Sequence, residues 1–115
     1  MAAERLGAAG FRIVERNARI RTAELVGEID LIALDGPELV FIEVKAGRAG
    51  AHHGPERPAL AVDRRKRLRL RRLARAWLAE RPSIPGFRSL RFDVVGIRLD
   101  GYGRPIAWEH LRAAF

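Results

Sequence analysis

Cysteine is absent from these 115 residues, which excludes disulfides, a thiolate metal cage and a cysteine nucleophile. No apolar run approaches the roughly 20 residues that a bilayer-spanning helix needs, and the N-terminus lacks the basic-then-apolar layout of a secretory signal. A soluble, cytoplasmic protein with no membrane partner is therefore expected. Lysine is nearly missing as well. Of 22 basic residues only Lys45 and Lys66 are lysines, so almost every positive charge is written as arginine. The length suits one hydrophobic core and not two, so a single domain over residues 1–115 is expected.

What is present begins with two segments rich in Val, Ile, Leu and Phe. VGEIDLIAL (Val26 to Leu34) and ELVFIEVK (Glu38 to Lys45) flank the turn Asp35-Gly36-Pro37-Glu38 and read as an antiparallel pair of strands. Side chains alternate along a strand, so Glu28, Asp30, Ile32 and Leu34 share one face of the first, and Leu39, Phe41, Glu43 and Lys45 one face of the second. Only one parity of pairing gathers Ile29, Leu31, Ala33, Val40, Ile42 and Val44 on a single apolar face. With a four-residue loop, Leu34 then opposes Leu39, Asp30 opposes Glu43 and Glu28 opposes Lys45.

Carboxylates directly opposed, with β-carbons about 4.5–5.5 Å apart, repel one another. A divalent cation held by Asp30 and Glu43 offsets that repulsion, and Lys45 on the same face points at the same pocket. A solvated hairpin end with an ordinary Glu28–Lys45 ion pair accounts for the same spacing. The scarcity of lysine favours the first reading, because a compact ammonium can stabilise a developing anion at a tight site where a broad guanidinium fork does not replace it. Lys66 weakens the point, since it lies in an arginine run with no such role evident.

The formal net charge of +8 is concentrated. Nine basic residues between Arg64 and Arg81 face Glu80 alone, so that stretch carries the whole excess. Such a face suits a partner with regularly spaced phosphates, with Arg64, Arg65, Lys66, Arg67 and Arg71 as candidate nucleic-acid contacts. A solvated arginine-rich helix face is the plain alternative.

Ala2 to Ala9 reads as a short helix stopped by Gly10, and Phe11 to Arg16 as a strand that Ile20 continues beyond a bend at Asn17. Glycines and prolines from Ala46 to Pro58 predict a loop starting directly after Lys45. It contains His52 and His53, whose adjacency lacks the i, i+4 spacing of a helical metal site. Asp63 predicts the N-cap of a helix to about Glu80, with Leu70, Leu73, Ala74, Trp77 and Leu78 as its buried stripe. Pro82 to Gly86 connects it to a strand over Ser89 to Leu99, where Asp93 has a structural reading only, and a short strand near Ile106 to Trp108 closes the chain.

The order of helix, three-strand meander, long helix and strands is that of an α/β protein with a mixed sheet flanked by helices. GEIDLIA, LVFIEVK, the basic helix beginning near AVDRRK, RFDVV and the closing AF together resemble the uncharacterised YraN-type proteins. Through them the chain resembles the restriction-endonuclease-like PD-(D/E)xK superfamily, archaeal Holliday-junction resolvases included. The resemblance implies a restriction-endonuclease-like fold and a Mg²⁺-dependent (or Mn²⁺-dependent) endonuclease acting on branched or structured DNA. It makes Asp30 and Glu43 metal ligands and Lys45 the residue that helps activate the attacking water. Members commonly carry a Gly-Glu pair on the first helix, whose Glu would fall before Met1 here. That implies a truncated first helix, Glu28 as substitute ligand, or a crippled site. A non-catalytic nucleic-acid-binding or DNA-repair accessory module on the same fold is the competing expectation. RNA as the partner, and a homodimer, stay open.

Overall fold

The computed structural model describes residues 2–48, 62–81 and 86–115. Along the chain run α1 (Ala2–Ala8), β1 (Arg12–Arg21), β2 (Val26–Asp35), β3 (Glu38–Arg48), α2 (Arg64–Ala79), β4 (Ser89–Leu99) and β5 (Pro105–Leu111). The five strands form one sheet in the order β1-β2-β3-β4-β5. Only the β3–β4 pair is parallel, and the stretch containing α2 carries the chain from one of these strands to the other.

A strand at the centre of a sheet covered on both faces must be apolar on both, and β3 shows it. Leu39 and Phe41 join Ile32, Leu70, Leu73, Trp77, Phe92 and Val94 in a core on the α2 side. Val40 and Ile42 join Leu6, Phe11, Leu31, Ala33, Val95 and Ile97 in a second core on the α1 side. The sequence places α2 as expected: Asp63 caps it, its carboxylate accepting the Lys66 N–H at 2.9 Å.

Four expectations change in detail. The β2–β3 turn has two residues and not four, because Asp35 pairs with Glu38. Gly36 takes a φ of 58° ahead of Pro37, as the first position of a type II′ hairpin requires. Leu34 still opposes Leu39, so the register is the expected one. Second, β3 does not end at Lys45. Ala46, Gly47 and Arg48 continue the parallel ladder against Ile97, Arg98 and Leu99, and a glycine needs no packing partner to hold a ladder hydrogen bond. Third, Ile29 is not on the apolar face shared by Leu31, Ala33, Val40 and Ile42. It packs in the core on the α2 side with Ile32, while Leu31 and Ala33 face α1. Alternation therefore slips at Asp30. Across from it on β1, Asn17 takes a φ of 50°, and Ala18 likewise sits on the α2 side while Ile13 packs toward α1. Fourth, β5 is longer than foreseen.

Candidate metal and nucleic-acid site

The slip in β2 determines what Asp30 can do. Pairing of β2 with β3 runs from Asp35↔Glu38 to Leu31↔Ile42. Beyond it the Asp30 carboxylate, and not a β2 carbonyl, accepts the N–H of Val44 at 2.8 Å. One oxygen of Asp30 is thus anchored on β3 next to Glu43. The residue lines an open cleft of about 410 Å³ together with Ala2, Ala3, Arg16, Asn17, Leu31 and Val44.

Glu43 lies on β3, its side chain 14% exposed, and its carboxylate is 3.1 Å from the ammonium of Lys45. Burial raises its pKa above the ordinary carboxylate value, and the charge of Asp30 raises it further, while Lys45 counteracts both only in part. Asp30, Glu43 and Lys45, the three residues expected from strand parity, are therefore brought together. The Glu28–Lys45 ion pair is not formed. Glu28 stands opposite Arg19 in the β1–β2 ladder, with its carboxylate 3.8 Å from Arg19 Nε.

Lys66, one of the candidate nucleic-acid contacts, lies in the first turn of α2 within electrostatic reach of Lys45 and Glu43. The nearby charge of Lys45 lowers the pKa of Lys66, since two neighbouring ammoniums are disfavoured. Lys66 precedes Leu70 by four residues and Leu73 by seven, so it lies in line with the buried stripe of α2 one turn before it, where its side chain is exposed.

The rest of the arginine helix is divided. Arg64 and Arg65 are exposed at its start. Arg67 donates from Nε to the Val62 carbonyl at 3.0 Å, and its guanidinium lies over the Phe115 ring. Arg71 stacks over Phe92, 4.9 Å from the ring centroid, and over Phe115. Arg69 donates to the Val26 carbonyl, and Arg81 to Glu15. All five proposed contacts are exposed, and of them Arg67 and Arg71 also lie over the rings of Phe92 and Phe115.

Among the described residues no group of three or more His, Asp or Glu side chains gathers as a metal cage. His52 and His53 lie outside the described residues. Two carboxylates nonetheless fit magnesium, a hard cation that keeps several waters and is commonly held by one or two protein carboxylates plus substrate phosphate.

Asp93 occupies a different place. Fully buried, it accepts from Arg91 Nε and Nη2 at 2.8 and 2.9 Å, from His110 Nε2 at 2.7 Å and from the Ala113 N–H at 3.0 Å. Burial pushes its pKa up, but His110, Arg91 and Ala113 outweigh it and hold the group at about 2. Arg91 also reaches Asp35 and Glu38, closing the hairpin end of the sheet.

The five-stranded mixed sheet between two helices, with an aspartate on one hairpin strand and Glu-x-Lys on the next, defines an α/β protein of restriction-endonuclease-like fold. The chain belongs to the family described as Uncharacterised protein family UPF0102, whose profile matches residues 1–97. It is 47% identical over its whole length to a UPF0102 protein of Frankia alni, covering 88% of that protein. A UPF0102 protein of Moorella thermoacetica is 45% identical over 99% of this chain and 88% of its own length. One of Dictyoglomus thermophilum is 40% identical over 92% and 82%.

Proposed function

We propose that this protein is a Mg²⁺-dependent endonuclease-like enzyme that hydrolyses phosphodiester bonds in branched or structured DNA. The observation that carries the reading is the meeting of Asp30, Glu43 and Lys45 where β2 and β3 stop pairing. Asp30 and Glu43 would hold the cation, which when bound lowers the pKa of a coordinated water and screens the phosphate oxygens. A carboxylate made costly by burial and by a second carboxylate is one that a cation relieves. Lys45 orients the attacking water or balances the negative charge that develops on phosphorus. Arg64 and Arg65 hold the backbone through phosphate contacts, which carry no sequence information. The choice of branched or structured DNA follows the likeness to junction resolvases.

A non-catalytic nucleic-acid-binding or repair-accessory module has one observation in its favour: among the described residues only two carboxylates gather, and Lys45 already pairs with one of them. Incubation with linear, gapped, flap and four-way DNA in Mg²⁺ or Mn²⁺ separates the two readings. Cleavage of a branched form in preference to linear duplex supports the enzyme. Tight binding without cleavage of any substrate rejects it in favour of the module.

A further inference from the structure

The core on the α2 side contains a column of three rings. Phe41 and Phe92 stack with centroids 5.5 Å apart and planes inclined by 25°, and Phe92 and Phe115 with 5.2 Å and 27°. The backbone holds Phe115 there as well, because the Ala114 N–H donates to the Phe92 carbonyl at 2.7 Å. Ala114 and Phe115 are the closing pair that stands out in the sequence and that the catalytic reading leaves without a role. Across the last two rings lies Arg71, its guanidinium 4.9 Å from the Phe92 centroid and 5.7 Å from that of Phe115.

A guanidinium stacked on an aromatic ring turns its flat face to the π cloud and keeps its in-plane N–H donors for other partners. Arg71 is exposed, and among the described residues no hydrogen bond or ion pair takes those donors. Arg67 and Arg69 of the same helix differ in this, since they donate to the carbonyls of Val62 and Val26. Arg71 follows Arg64 by seven residues, two turns of α2, so the two share a helix face about 10 Å apart along the axis. A side chain already ordered on rings loses less freedom on taking a ligand than one that is loose in solvent. We propose that Arg71 contacts a backbone phosphate of bound DNA and that Phe115 is its positioning residue, bracing the guanidinium with its donors open to the phosphate. The ligand class rests on the nucleic-acid reading above; the brace itself needs neither metal nor turnover.

The test titrates fluorescein-labelled four-way DNA in EDTA over a range of salt, with binding read by anisotropy. Arg71→Gln should reduce the salt slope by about one unit, the value for one lost phosphate contact. Phe115→Leu keeps apolar bulk without the ring face and should weaken binding about three- to tenfold with the slope little changed, while Phe115→Tyr should bind as wild type does. In the Arg71→Gln background Phe115→Leu should change affinity by less than about twofold, whereas in the Arg64→Gln background it should keep its full effect. Arg71→Lys, at an exposed position that leaves the fold intact, retains the charge without the flat face and should lose as much as Phe115→Leu at the wild-type slope. A wild-type slope in Arg71→Gln, wild-type affinity in Arg71→Lys, or an equal cost of Phe115→Leu with and without Arg71 overturns the brace. Because no metal is present, the brace and the cleavage reading fail separately: variants with unaltered binding overturn the brace alone, and binding without cleavage overturns the nuclease alone. A wild type that binds no DNA overturns both.

Discussion

Replacing Asp93 by asparagine should cost about 3–5 kcal/mol of stability at pH 7, the range for removing one partner of a buried charge pair. The structure supplies the reason. Four donor atoms converge on the two oxygens of Asp93, from Arg91, His110 and the Ala113 backbone. Asparagine keeps the shape but turns one oxygen into an NH₂ group facing those donors, and it leaves the Arg91 guanidinium without its bidentate carboxylate. Acid provides a second, independent magnitude. The Asp93 pKa falls from 3.8 to about 2 on folding, a shift worth roughly 2–2.5 kcal/mol. The sign follows from the direction. A depressed carboxylate contributes its full stability above its unfolded value near 4, and that contribution is lost as the pH falls through about 2. Urea unfolding of wild type and Asp93→Asn at pH 7, 4 and 2 is the assay. The variant should be several kcal/mol weaker at pH 7, with the gap narrowing between pH 4 and 2 and the urea slope unchanged. A loss below 1 kcal/mol at pH 7, or a gap that ignores acid, refutes the reasoning. Because the partners of Asp93 are Arg91, His110 and Ala113 and not Asp30 or Glu43, the folded variant should retain the metal response of the wild type.

Mg²⁺ or Mn²⁺ should raise the melting temperature of the wild type by preferential binding to the folded state, and Asp30→Asn and Glu43→Gln should each abolish the rise, read by differential scanning fluorimetry. The response should weaken as the pH falls through the raised pKa of Glu43, since the protonated carboxyl does not hold a cation. Replacing Arg64 and Arg65 together should flatten the salt dependence of DNA affinity by roughly 2 units, while Arg67→Gln, whose guanidinium is held by Val62 and Phe115, should change the slope little. Gly27→Ala should cost about 1–3 kcal/mol in urea unfolding, because its Cβ would lie 2.9 Å from Leu73 Cδ2 in the core.

Much of this was legible because β periodicity is a strong code. The Gly-Pro turn and the apolar alternation defined the β2–β3 register, and with it the neighbourhood of Asp30, Glu43 and Lys45. The N-cap at Asp63 and the stripe of α2 were equally plain. Alternation failed as a guide at Asp30, where the strand changes which residues face α2, because that change is set jointly with Asn17 on a neighbouring strand. Of the partners of Asp93, Arg91 stands two residues before it on β4, but His110 comes from β5 and Ala113 from beyond it, and no local pattern announces a contact across 17 residues.

Lys45 divides the chemistry of the central claim from everything else, because it neither fills an apolar face nor faces outward on the helix. Single-turnover cleavage of the best branched substrate in Mg²⁺ is therefore compared for wild type, Lys45→Ala and Lys45→Arg, with metal response and DNA affinity measured beside it. The account predicts that both variants fold and still respond to metal, and that Lys45→Ala loses about a hundredfold or more in rate while Lys45→Arg does not recover it. Cleavage by Lys45→Ala at the wild-type rate would contradict it.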